Sequence, residues 1–215
     1  MKHDSVRTLV LMSMLAAVAY LLMVAVRIPV VLFLKYEPKD TVITIGGFLL
    51  GPMASLIISL VVSLVEMVSV SDTGIIGCVM NFISTCSFAC VAALIYKKDR
   101  TLRGAVLGLL LGSVSMICVM LLWNWLITPL YLGGTREEVA SMLLPVFLPF
   151  NALKAGFNSA LVLALYKPLT VALRKARLLP QSSGQKRNPK PGIYLFAAVL
   201  LITCILFLLV MQGIL

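Results

Sequence analysis

Charge is scarce in this chain, and negative charge scarcer still: Asp and Glu number 8 against 18 Lys and Arg, and charged residues make up 12% of 215. Histidine is nearly absent, with His3 near the N-terminus as its single instance. That excludes a His-based catalytic triad and a histidine-bearing zinc cluster. No GxxxxGKS or GxxxxGKT loop occurs, so any use of ATP must come from another chain. The cysteines (Cys78, Cys86, Cys90, Cys118, Cys204) form no CxxC pair and lie inside apolar runs, where they act as small packing residues. These absences argue against an enzyme: no catalytic residue, metal ligand or cofactor is assigned.

Apolar sequence is what the chain has in abundance. Hydrophobic residues make up 61% and mean hydropathy is +1.07. Several runs approach the ~20 residues needed to cross a bilayer, which predicts an all-α, polytopic membrane bundle. The net charge of +10 sits in the connections between those runs, where Lys and Arg set orientation in the membrane. Lipid is therefore a partner and nucleic acid is not. The N-terminus has a basic start and an apolar stretch like a signal peptide, but Tyr20, Met23 and Arg27 stand where small cleavage-site residues would be wanted. It reads as a retained first span.

The first span covers 8–26, and the connection that follows, RIPVVLFLKYEPKD, contains Pro29 and Pro38 and cannot be one helix. Its apolar middle predicts that it lies over the bundle. The apolar stretch 41–70 is interrupted by Gly51 and Pro52, and the charges decide whether the chain turns there. With a turn, the KKDRTLR loop, Lys167, Arg174, Lys175 and the basic tail share one side. Arg27, Lys35, Lys39 and Arg136, accompanied by acids, take the other. The positive-inside rule then makes the first side, and the N-terminus, cytoplasmic. The spans are 41–50, which is short and suits a tilted or sheltered helix, then 53–70, 75–96, 104–128 and 144–173, the last starting near Pro145 or Pro149. Residues 1–175 thus form a six-helix bundle and 176–192 a polar, basic cytoplasmic linker. The apolar segment 193–215 is long enough to be a seventh span. Gln212 is its single amide and it bears no charge, so it is expected to be peripheral to the bundle's function.

Polar residues inside the spans gather at one depth. Lys154, Asn151, Asn124, Asn81, Glu66, Asp40, Thr41 and Thr44 all fall in the half of the bundle nearer the outside. A lysine at the middle of a membrane helix costs roughly 2.5 to 3.5 kcal/mol, so it faces a partner or a cavity. One reading is a Lys154–Glu66 ion pair that fixes two helices. The other is a ligand pocket open to the outside. Asn151, Lys154 and Asn158 repeat at i, i+3, i+7, so at least two can point into one site. Amides supply donors and acceptors and lysine supplies donors alone, a mixture suited to a flat, neutral heterocycle with carbonyls and an imide N–H. Tyr36, Trp123, Trp125, Tyr131 and Phe150 lie near the same end, either to stack on such a ring or to form the interfacial aromatic belt.

LKYEPKD followed by GGFLLGP, then GIIGCVMNF, NWLITPLY and LPFNALKAGFNSAL together resemble the riboflavin-specific substrate-binding (S) components of energy-coupling factor (ECF) vitamin transporters, over about 5–175. The resemblance implies a six-helix bundle that captures riboflavin from outside. The bundle would be carried across the membrane by a module of one transmembrane T component and two ATPases. It implies that Asn124, Asn151 and Lys154 hold the polar edge of the isoalloxazine ring, and that Asp40, Thr41 and Thr44 approach the ribityl chain or the ring with Asn81 nearby. Leu34, Lys35, Tyr36 and Glu37 would belong to a lid. Ser13 and Ala17 form a small-xxx-small pair on the first helix for docking on the module, the serine standing where alanine is more usual. The segment after Gly192 is an addition to that fold. A self-sufficient proton-coupled transporter of a small neutral or heterocyclic solute, with Glu66 as its carboxylate and Lys154 as the partner, is the alternative.

Overall fold

A computed structural model describes residues 2–32, 34–71, 73–132, 135–176, 178 and 191–214. In chain order the elements are α1 (Lys2–Ala25), a hairpin of β1 (Ile28–Val31) and β2 (Leu34–Tyr36), α2 (Lys39–Leu50) and α3 (Pro52–Ser69). They continue with α4 (Gly74–Lys98), α5 (Leu102–Leu132), α6 (Arg136–Met142), a π-helical turn at Leu143–Phe147, α7 (Leu148–Lys175) and α8 (Pro191–Met211). The described helices α1, α3, α4, α5, α8 and the combined stretch Arg136–Lys175 are long and apolar enough to cross a membrane. The linker predicted at 176–192 lies almost wholly outside the described residues.

Gly51 makes the expected turn between α2 and α3. Its φ of 101° is a conformation that a side chain would resist, and Pro52 then opens α3 at a position where its missing N–H costs nothing. With 12 residues, α2 is about 18 Å long, well short of the ~30 Å hydrocarbon core. Every residue from Lys39 to Phe48 is buried. The short helix is therefore the centre of the bundle. Val42 and Ile43 pack on Leu11, Leu15 and Ala19 of α1 and on Ile58 and Val62 of α3. Ile45 and Phe48 pack among residues of α4, α5 and α7, including Phe88, Leu109 and Val162. Ser13 and Ala17 of α1 are exposed, away from that contact.

Two features depart from the sequence expectation. The first connection contains strands: β1 and β2 pair antiparallel, with Ile28 opposite Tyr36 and Pro29 opposite Lys35. Two prolines deny the segment a helix, so its backbone groups pair in a hairpin, with Val30, Leu34 and Tyr36 buried and Lys35 exposed. The sixth span, α7, begins beside Pro149 as expected, but further helical turns precede it from Arg136. Pro145 has no N–H and its ring crowds the preceding turn, and the chain widens into a π turn in which the Leu148 N–H reaches the Leu143 carbonyl.

α4 and α5 meet along two glycines one turn apart. A β-carbon at Gly108 would lie 2.7 Å from the Ala92 carbonyl oxygen and one at Gly112 2.6 Å from that of Phe88. These neighbours are backbone, so relief requires the helices to separate. Gly112→Val is therefore expected to destabilise the bundle by about 1 to 3 kcal/mol, seen as a lower melting temperature in detergent, whereas Leu110→Val on the exposed face leaves it near the parent value.

Candidate functional site

The site is built on buried charge. Asp40, in the first turn of α2, is fully buried. A carboxylate at such depth is costly unless every lone pair is answered. Lys154 of α7 lies 3.1 Å from its Oδ2, Thr85 of α4 donates to Oδ1 at 2.6 Å and the Asn158 amide donates to Oδ2 at 3.4 Å. Asn158 in turn accepts from Thr41 at 3.1 Å and from the Tyr36 hydroxyl at 3.2 Å. Burial, and after it the nearby Asp40 carboxylate, push the Tyr36 phenol above its ordinary pKa, which keeps it a donor. The hairpin, α2, α4 and α7 are thereby joined through one carboxylate.

Glu66 forms a second station, so of the two readings of Lys154 the ion pair with Glu66 gives way to one with Asp40. Its partners are Lys39, through Oε2, Arg27 at 3.4 Å and the Asn81 amide at 2.8 Å. Lys39 also lies 2.9 Å from Glu37, and Arg27 closes the ring with Glu37 at 2.8 Å. Two cations, Lys39 and Arg27, thus share two carboxylates of the hairpin base and α3. Read as loop charges from the sequence, they are paired groups inside the bundle end, Lys39 fully buried and Arg27 on the cavity wall.

Beside both stations lies a cavity of about 310 Å³, within the range of small-molecule sites. Its polar lining includes Asn81, Ser84, Asn124, Asn151, Lys154, Glu66 and Arg27. Its apolar lining includes Leu34, Ile76, Met80, Met120 and Phe150, and Lys35 and Glu37 of the hairpin segment complete it. Both amides are held by their own helices. Asn124 donates to the Met120 carbonyl at 2.7 Å and accepts from Thr128 at 2.9 Å, and Asn151 donates to the Phe147 carbonyl at 2.7 Å. Each keeps a second amide N–H and acceptor capacity for a ligand. Lys154 spends two N–H groups on Asp40 and on Ser84, the latter at 3.4 Å, which leaves its third for the cavity.

The predicted residues divide accordingly. Asn81, Asn124, Asn151 and Lys154 line the cavity together with Leu34, Lys35 and Glu37. Asp40, Thr41 and Tyr36 stand behind that wall and fix it, while Thr44 is buried with its hydroxyl on the Asp40 carbonyl at 2.7 Å. Of the aromatic candidates Phe150 lines the cavity, Trp123 packs in the bundle core and Trp125 is exposed. The Tyr131 side chain lies outside the described residues. Ser84 and Thr85 escaped the sequence reading, yet they follow Asn81 at i+3 and i+4 on one face of α4, a pattern that would have found them.

Residues 7–166 match the family model described as ECF transporter, substrate-specific component. The chain is similar to the riboflavin transporter RibU of Staphylococcus aureus (strain TCH60), 27% identical over 179 residues that cover 79% of this chain and 93% of that protein. It is also similar to the riboflavin transporter FmnP of Bacillus subtilis (strain 168), 29% identical over 161 residues, 69% of this chain and 84% of the relative. A solved structure of the S component of a bacterial ECF transporter superposes with a TM-score of 0.68 at 26% identity, over 79% of this chain and 99% of that one.

Removing one partner of the Asp40–Lys154 pair leaves an uncompensated buried charge. Lys154→Met is expected to cost about 3 to 5 kcal/mol of stability. Adding Asp40→Asn in the same chain should recover a good part of it. Thermal unfolding of the single and double variants in detergent checks this; a double variant no more stable than Lys154→Met would show that the pairing is not the cause.

Proposed function

The chain belongs to the substrate-specific components of ECF transporters, and on that premise we propose that it captures riboflavin in the cavity beside Lys154 for uptake across the membrane. The observation that carries the reading is the composition of the cavity. The polar groups of Asn124, Asn151 and Lys154 share the cavity with apolar side chains from Met80, Met120 and Phe150, and a tricyclic ring with carbonyls and an imide along one side needs both. Amides answer the alternating donors and acceptors of that edge and the ammonium answers a carbonyl. Phe150 and the methionines cover the ring faces. Asn81 and Ser84, which also line the cavity, take the hydroxyls of the ribityl chain in this reading. Asp40, Thr41 and Thr44 act through Lys154 and Asn158 by fixing the wall.

The N-terminus is cytoplasmic in this reading, and the hairpin end of the bundle faces outside. Leu34, Lys35, Tyr36 and Glu37 close over the bound ring. The chain carries out no bond chemistry. Exposing the loaded site to the cytoplasm is the work of a partner module, one T component and two ATPases, which docks on the exposed Ser13 and Ala17 of α1 in the surrounding lipid. The proton-coupled alternative is not favoured: its carboxylate, Glu66, is engaged by Lys39, Arg27 and Asn81.

Riboflavin fluorescence should be quenched saturably at one site on the detergent-purified protein, and neither thiamin nor biotin should reverse it. Asn151→Leu is expected to weaken binding roughly tenfold, the loss of one or two hydrogen bonds; binding as tight as the parent's would remove Asn151 from the ring edge. Ala17→Trp is expected to leave the titration unchanged while reducing riboflavin uptake in cells that supply the module, a contrast that assigns α1 to docking rather than to the ligand.

A further inference from the structure

The family match ends at residue 166, and α8 lies beyond it. Much of α8 faces outward as a lipid-facing helix does: Leu195, Phe196, Val199, Ile202 and Ile205 are exposed. One stripe is not. Ala197 and Cys204 are buried, and Leu200, Leu201, Leu208 and Met211 fall on the same side at the three- and four-residue spacing of a packed helix face.

That stripe has two neighbours. On α7, Gly156 offers no side chain opposite Cys204; a β-carbon there would sit 2.7 Å from the sulfur, so the helices close in at that point. Nearer the hairpin, Leu200, Leu201, Cys204, Leu208 and Met211 of α8 share one apolar cluster with Val30, Leu34 and Tyr36. Just past the end of α8, Gln212 Nε2 donates to the Pro29 carbonyl at 2.7 Å. Pro29 belongs to β1, which is paired to β2, and β2 presents Leu34 and Lys35 to the cavity. The chain of contacts therefore runs from α8 through β1 and β2 to the ligand space.

We propose that α8 is a strap that holds the hairpin down over the cavity, with Gln212 as its positioning residue, and that it sets how long a ligand stays bound. The second half of the proposal rests on the cavity being the riboflavin site. The hairpin is held at its base by the Arg27–Glu37 pair, which lies in the chain itself. Strand β2 is held on α7 by the Tyr36–Asn158 bond, whereas the outer edge of β1, at Pro29 and Val30, rests on α8. Loosening α8 leaves β1 without that support, tied down through the base and its pairing to β2. Most of the surface of this segment faces outward, while its contact stripe reaches the hairpin.

The test uses the full chain with two substitutions. Gln212→Leu removes the hydrogen bond and keeps the apolar surface. Cys204→Phe cannot fit over Gly156 and lifts α8 from α7. Amide hydrogen exchange of residues 28–36, without flavin, is expected to rise about fivefold in Gln212→Leu, the opening expected from one lost hydrogen bond, and further in Cys204→Phe, with protection in α3 and α4 unchanged. Riboflavin dissociation, followed by the return of flavin fluorescence, should accelerate by a similar factor. Hairpin exchange at the parent rate in Gln212→Leu overturns the strap, whether or not Cys204→Phe folds. Faster exchange with unchanged dissociation overturns its role in retention. A parent that binds no riboflavin defeats the proposed substrate instead, and the exchange result still decides whether α8 holds the hairpin.

Discussion

Everything at the hairpin end of the bundle is arranged around one buried carboxylate. Asp40 is fully buried in the first turn of α2, and its charge can persist there because an ammonium, a hydroxyl and an amide from α7 and α4 converge on it. The geometry is demanding, since a missing partner leaves charge in a medium that cannot solvate it. That requirement fixes the rotation of α7 about its axis. With Lys154 and Asn158 turned toward Asp40, Asn151 one turn earlier is turned to the cavity. The ligand-facing edge is thus a by-product of satisfying a charge behind it.

A second cluster, of Arg27, Glu37, Lys39 and Glu66, solves the same problem differently. Two acids and two cations alternate around a ring, and the ring ties the base of the hairpin to α2 and α3. The two clusters divide the labour. Asp40 joins α2 to α4 and α7, and the four-membered ring anchors the hairpin. Both are near neutral overall, which suits an uncharged ring better than an ion.

Much of this was legible in the sequence because membrane insertion makes polar residues conspicuous. Lys154, Asn151, Asn124 and Asn81 stand out against apolar neighbours, and charge asymmetry across the connections calls for a turn at Gly51. What escaped was of two kinds. Pairing among the charges could not be read, because Glu66 and Asp40 lie at similar depth and Lys154 reaches either; the rotation of the helices decides, and no periodicity reports it. The hairpin escaped for the opposite reason. Its strands have 4 and 3 residues, too short for an alternating pattern to emerge, and the prolines that rule out a helix do not say what replaces it. The contact of α8 with that hairpin was invisible as well, since an almost wholly apolar helix gives no sign of which face is packed.

The brevity of α2 has a consequence for how the protein holds its cargo. A helix of 12 residues is roughly 12 Å shorter than the ~30 Å that its neighbours must cross, and its first turn, at Lys39 and Asp40, lies beside the Lys154 ammonium at the cavity wall. The chain that precedes that turn is the hairpin, which stands in for the missing helical turns. Beside it, side chains of α4, α5 and α7 line a cavity instead of packing on a continuing helix. The interior open to a guest is therefore set by where α2 begins: a helix about two turns longer would have to share that end of the bundle with whatever the cavity holds.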